Sequence, residues 1–260
     1  MTLKKFMEPK VLVGCTVADI KRYCLGNYIQ GLKRLTYKNF DVLLIDNSKT
    51  DKYAKEIAKF GYNVIKTKHH ENIADSIIEG MNMLRDIALK DYDYFLCLEQ
   101  DVVPPPNVIE LMLETKKDIV TGVVPHLLIK TDGSSRNIAL LGIEDKQNPD
   151  KYKYFDLESV MQNKEGLVKV DYSAMTCLMM NKNALKKIKF RYENLKNKDK
   201  TGTQNFVWHD ICFSKDAKKN KLEIYANLAI KCQHYFFNGW CLALGDTKGG
   251  EFIKKEKLDN

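Results

Sequence analysis

Apolar residues along the first half of this chain follow two rhythms, short unbroken runs and longer stretches in which they return every three or four places. Residues 11–16 (VLVGCT) form an unbroken run and predict a buried strand. After Ala18 and Asp19, the positions Ile20, Tyr23, Cys24, Tyr28, Leu32 and Leu35 fall at helical spacing. Residues 40–46 (FDVLLID) predict a second strand ending on Asp46, followed by a polar turn at 47–51 and a helix that Gly61 closes. Residues 62–67 predict a short third strand, and Ile73, Ile77, Met81, Leu84 and Ala88 mark a long helix over 72–89. Residues 94–98 predict a fourth strand, 107–115 a helix and 118–124 a fifth strand. Strands alternating with helices imply right-handed crossovers and a mainly parallel sheet of the α/β class.

Beyond Pro125 the alternation fails. Residues 126–168 are polar, hold Gly133, Gly142 and Pro149, and show no sustained period, which predicts an irregular insertion. Residues 169–180 predict one strand and 183–188 a short helix. Residues 191–205, dense in Lys, Asn and Gly, predict a mobile surface loop suited to a lid. Residues 207–220 predict a helix with an acid in its first turn, where the macrodipole favours it. Two short strands, 222–227 and 229–232, lead to His234, and 246–260 form a charged tail.

Candidate chemistry gathers where the fourth strand ends. That strand runs into Glu99, Asp101 and the prolines at 104–106, none of which suits a central ladder. In extended chain Glu99 and Asp101 point to the same side, at the carboxyl edge where open α/β sheets bind ligands. An acidic edge of this kind suits a hard divalent cation carrying a phosphate; the other reading is a strand-ending turn with solvated acids. Asp46 stands at the carboxyl end of a second strand.

Composition narrows the classes. A chain of 260 residues, 44% hydrophobic and 29% charged, fits one globular domain with additions and excludes a disordered chain. No apolar run approaches the roughly 20 residues that span a bilayer, and residues 1–8 lack the apolar core of a signal peptide, so the expected location is cytoplasmic. The seven cysteines are scattered without Cys-x-x-Cys spacing and read as reduced core residues. A net charge of +8 favours anionic ligands, but no basic run is interleaved with aromatics, which argues against nucleic acid. Residues 13–19 hold one glycine, too few for the phosphate loop of a nucleotidyltransferase.

Four stretches, in order, carry a resemblance. Residues 44–51 (LIDNSKTD) look like a V-D-D-G-S-T-D turn, and 98–106 (LEQDVVPPP) like a D-x-D segment with its following prolines. Residues 170–185 (VDYSAMTCLMMNKNAL) look like an acceptor-side strand and helix, and 208–220 (WHDICFSKDAKKN) like a W-x-E-D-x-D-x-x-x-R-x-x-x-x-G helix. Over residues 9–238 the chain thus resembles the GT-A-fold glycosyltransferases, in particular the family-2-like group that uses nucleotide-diphosphate sugars.

The resemblance implies a GT-A, Rossmann-like sheet in one domain. Residues 1–125 would be its nucleotide-sugar-binding half, 126–245 its acceptor-side and catalytic half, and 246–260 the tail. It implies that Asp46 and Asn47 contact the nucleoside, that Asp101 holds Mn²⁺ or Mg²⁺, and that His234 completes the metal shell. Asp210 would be the general base of an inverting transfer to a carbohydrate, lipid-linked or protein hydroxyl, with Trp208 and His209 on the substrate. Glu99 stands where the family has the first Asp of D-x-D, so it is carried over only as a ribose or outer contact. His209 stands in place of the Glu of the usual Glu-Asp pair, and the acceptor-strand glycines are absent. Asp210 also reads as a plain helix-start acid, and His234 as a hydrogen-bonded core histidine. A retaining transfer, or a noncatalytic carbohydrate- or nucleotide-binding module on the same fold, remains open.

Overall fold

The computed structural model describes residues 8–129, 133–163, 165–198, 204–236, 240–243 and 251–254. An eight-stranded sheet crosses the molecule. From one edge its order is Leu167–Val170, Ile224–Lys231, Ile119–Val123, Cys177–Asn181, Tyr94–Leu98, Val11–Val17, Phe40–Asp46 and Asn63–Lys66. The last four run parallel to one another, as do Ile119–Val123 and Ile224–Lys231. Cys177–Asn181 lies antiparallel between Tyr94–Leu98 and Ile119–Val123 and joins the two parallel blocks. The result is the mainly parallel α/β sheet, flanked by helices, that the alternating pattern implies.

Each strand serves two cores because its side chains alternate across the sheet. Leu12, Ile45, Phe95 and Cys97 face the helix Ile73–Asp91, whose Met81, Leu84 and Ala88 pack against them. Val11, Val13, Leu44, Leu96 and Leu98 face the opposite way, toward Leu25–Lys33, Lys52–Ala58 and Val108–Leu113. Asn72 caps the long helix by accepting from Ala74 N at 3.0 Å. Gly61, at φ +88°, supplies the left-handed turn that ends the segment after Lys52–Ala58.

The first helix is two pieces, a 3-10 turn Asp19–Cys24 and an α-helix Leu25–Lys33, where a single helix was expected. Cys24, at φ −112° and ψ 1°, divides the two pieces, and Lys21, at φ −94° and ψ 17°, kinks the first of them.

The second half departs further from the sequence reading. The expected irregular insertion is a β-meander: Pro125–Ile129, Ser135–Asp145 and Asn148–Asp156 pair in turn, Tyr172–Ser173 adds to the far side of Ser135–Asp145, and the helix Leu157–Gln162 follows. Register shifts along Ser135–Asp145 break the two-residue alternation that would have revealed it. The single strand expected over 169–180 is three, Leu167–Val170, Tyr172–Ser173 and Cys177–Asn181. The expected loop at 191–205 holds an antiparallel pair, Glu193–Lys198 with Gln204–Val207, and the intervening 199–203 lie outside the described residues. Ile224–Lys231 is one strand where two were expected. Within the expected tail, Glu251–Lys254 pairs with Trp240–Ala243; residues 246–250 and 255–260 lie outside the described residues. Among the described residues no helix is long and apolar enough to cross a membrane.

Gly80 sets the distance between the long helix and the sheet. A Cβ there would stand 2.4 Å from Thr16 Cγ2 and 3.1 Å from Ile45 Cγ2, both on stiff β-branched side chains. Gly80→Val should therefore destabilise the fold by roughly 2 kcal/mol through overpacking, read as a lower urea midpoint at unchanged slope.

Candidate active site

The carboxyl edge of the parallel block collects the predicted residues. Val17 lies opposite Asp46 in the ladder, and Tyr94–Leu98 runs on the other side of Val11–Val17. Beyond Leu98 the chain turns: Glu99 N donates to Thr176 O at 2.9 Å, and Val102 N donates back to Glu99 O at 3.0 Å. The two acids thus sit on a tight turn rather than in extended chain, yet both reach the same ammonium group. Lys21 Nζ lies 3.0 Å from Asp101 Oδ2 and 3.7 Å from Glu99 Oε2.

His234 arrives from the far end of the chain by strand pairing. Gln233–Tyr235 lies antiparallel to Val102–Val103 with His234 opposite Val102, and Tyr235 N donates to Asp101 O at 2.8 Å. This places His234 Nε2 3.7 Å from Asp101 Oδ2. Its Nδ1 is 2.8 Å from Pro125 O; a carbonyl can only accept, so Nδ1 carries the hydrogen and Nε2 faces the carboxylate. His126, two residues into the meander, stacks on His234 with ring centroids 5.7 Å apart.

Neighbouring charges shift the titration of this cluster. Burial alone would raise the Asp101 pKa, but His234 and the Lys21 charge together outweigh it and hold the carboxyl well below the usual range. Burial likewise opposes the charge on Lys21, yet Glu99 and Asp101 raise its pKa above the ordinary lysine value. The same balance raises His234, where Asp101 outweighs burial. Asp101 is 6% exposed, and its Oδ1 is buried without a hydrogen-bond partner.

Asp46 shows a similar vacancy of partners. It is fully buried, with Oδ1 accepting from Ser48 N at 3.0 Å and Ser48 Oγ at 2.5 Å, while Oδ2 has no partner. Asn47 is held beside it by donation from its N to Val17 O, and its carbonyl meets His69 Nδ1 at 3.0 Å.

Asp210 opens the helix His209–Lys219 and is fixed on both oxygens, by Ile211 N at 2.8 Å and by Tyr172 Oη at 2.6 Å. Tyr172 is packed by Tyr152 and Tyr154 of the meander. It lies five residues before Cys177, which pairs with Leu98, the residue that precedes the acids. Arg191 anchors the helix by a bidentate pair to Asp216, at 2.8 and 2.9 Å. Trp208, 44% exposed, precedes the helix, and its ring lies 6.4 Å from that of His209.

The structure therefore brings Lys21 and His234 onto Asp101, sets Glu99 on the same ammonium and Asp46 and Asn47 along the same edge, and pairs Asp210 with Tyr172. Lys21, Gln100 and Tyr172 were not singled out from the sequence. Gln100 lay in view between the two acids. It is 1% exposed; its Nε2 donates to Lys21 O at 2.9 Å and to Tyr53 Oη, and its Oε1 accepts from Ala18 N.

Among the described residues no three of His, Cys, Asp and Glu are grouped as a metal cage. What the cluster offers is a partnerless Asp101 oxygen and an imidazole whose Nε2 bears a lone pair once His234 is neutral. That donor set fits Mn²⁺ or Mg²⁺ if phosphate oxygens complete the shell.

The family model described as "Glycosyl transferase family 2" matches residues 23–189. The chain belongs to that family. It is a glycosyltransferase, with Asp46, Glu99 and Asp101 inside the matched region and Asp210 and His234 beyond it. No curated protein matches this glycosyltransferase in sequence. Among solved structures it is similar to A197 from STIV, at 13% identity and TM-score 0.47, covering 96% of this chain and 97% of that one. It is also similar to S. aureus TarS 1-349, at 13% identity and TM-score 0.46, covering 84% of this chain. The glycosyltransferase spans 57% of that TarS chain.

Two thiols sit under the site. Cys24 Sγ donates to Lys21 O at 3.0 Å and to Gln100 O at 3.4 Å, and burial pushes both Cys24 and Cys15 up to about 12. All six described cysteines are buried. In a Cys241→Ser background, which leaves those six alone, a disulfide reagent at pH 8 should titrate no thiol until the protein unfolds.

Proposed function

We propose that this glycosyltransferase is metal-dependent and inverting, and moves a sugar from a nucleoside-diphosphate donor to a hydroxyl acceptor. The observation that carries the reading is the pair of buried carboxylate oxygens without partners, on Asp46 and Asp101, at one sheet edge. Burying an oxygen without a hydrogen bond costs free energy, and a donor molecule with its cation would satisfy both. The free oxygen of Asp46 accepts from the base or ribose, with Asn47 flanking it and Glu99 on the ribose side. Asp101 and His234 hold Mn²⁺ or Mg²⁺, which when bound neutralises charge growing on the departing diphosphate.

Asp210 takes the proton of the acceptor hydroxyl as that oxygen attacks the anomeric carbon from the face opposite the diphosphate. The hydrogen bond from Tyr172 orients its carboxylate. The half-exposed Trp208 stacks on a sugar ring, and His209 touches the acceptor. In this reading residues 1–125 bind the donor and 126–245 shape the acceptor side, the acceptor being a carbohydrate, a lipid-linked or a protein hydroxyl. Six buried free thiols among the described residues suit a reducing, cytoplasmic setting.

The test is turnover of a panel of nucleoside-diphosphate sugars with Mn²⁺, following release of the nucleoside diphosphate. Asp101→Asn and Asp210→Asn should each lower kcat by about 10²-fold or more, with donor affinity kept in Asp210→Asn. Unchanged turnover in Asp101→Asn would remove the metal role, and a product of retained anomeric configuration would remove the inverting one.

A further inference from the structure

Lys21 is the cation that already sits on the acids. Its ammonium touches both Asp101 and Glu99, while its backbone is fastened from the other side by Gln100 Nε2 and Cys24 Sγ, which both donate to its carbonyl. The same Glu-Gln-Asp turn thus supplies the carboxylates that hold the head of this lysine and the amide that holds its root. The two ends differ in freedom. The Lys21 side chain is 35% exposed on a flexible four-carbon stem, whereas that of Asp101 is 9% exposed and locked between strands. When a second cation comes to Asp101, the lysine is therefore the partner that can leave.

An ion shared by Asp101 and His234 would lie next to that ammonium and be repelled by it. The repulsion ends if the ammonium moves to a new anion, and a diphosphate is an anion of that kind. The geometry points to Lys21 as a resident counter-cation that competes with the divalent ion for Asp101 and turns to the donor's diphosphate when it arrives. Metal and donor then enter together, and the buried carboxylate is never left unpaired. This rests on the reading that Asp101 and His234 hold a divalent ion.

The test measures Mn²⁺ alone, by electron paramagnetic resonance, against the folded wild type, Lys21→Met and Lys21→Arg, with melting curves to show that each is folded. Lys21→Met should bind Mn²⁺ at least tenfold more tightly than wild type, and Lys21→Arg should stay near wild type. Metal-free inorganic pyrophosphate, followed by calorimetry, should bind Lys21→Met at least fivefold more weakly than wild type. Equal Mn²⁺ affinity in all three proteins, lost in Asp101→Asn, overturns the competition while leaving the metal site intact. Absence of Mn²⁺ binding from all three overturns the metal reading together with it. Pyrophosphate affinity unchanged by Lys21→Met overturns the transfer to diphosphate.

Discussion

A carboxylate removed from water must be met by positive charge or by hydrogens, and Asp101 is where this molecule faces that demand. Its position is forced by the sheet. Tyr94–Leu98 has neighbours on both sides, parallel Val11–Val17 and antiparallel Cys177–Asn181, so the turn that follows it opens in the middle of the protein rather than at a rim. An ion left unpaired at such depth costs several kcal/mol. Three segments distant in the chain converge to meet it: Lys21 from the turn after the first strand, His234 from a strand near the end, and Pro125, whose carbonyl orients the imidazole. Much of the connectivity beyond residue 100 brings these groups into range.

The first half of the fold was legible because its signals are local. A run such as 11–15 is buried on both faces of a sheet and shows as unbroken apolar sequence, and the long helix carries its own period and its own cap at Asn72. The meander was not legible for the opposite reason. Ser135–Asp145 keeps one apolar run, residues 138–143, but its polar ends, its bulged pairing and the polar strands beside it leave no clean alternation to show a sheet. The pair Glu193–Lys198 and Gln204–Val207 is likewise made of Lys, Asn and Gln, residues that mimic a loop.

The candidate site divides along the same line. Acids at strand ends can be read from the strands, and Asp46, Glu99 and Asp101 could be named before any coordinates. Partners cannot, because they depend on register between segments far apart. Nothing around Lys21 distinguishes it from the other lysines of a lysine-rich surface; only the kink at its own backbone and the reach of Gln100 turn it inward. Tyr172 is equally silent in sequence, since its meaning comes from Asp210, 38 positions later.

The antiparallel strand Cys177–Asn181 also has a consequence for how the chain comes to be folded. It is wedged between Tyr94–Leu98 and Ile119–Val123, two strands made well before it, so during synthesis both wait with an unfilled gap between them. Until the later segment leaves the ribosome, the nascent protein carries two open edges able to recruit a stranger's strand. Mixed strand direction at the centre therefore leaves the first half of the sheet without a finished form until Cys177–Asn181 is in place.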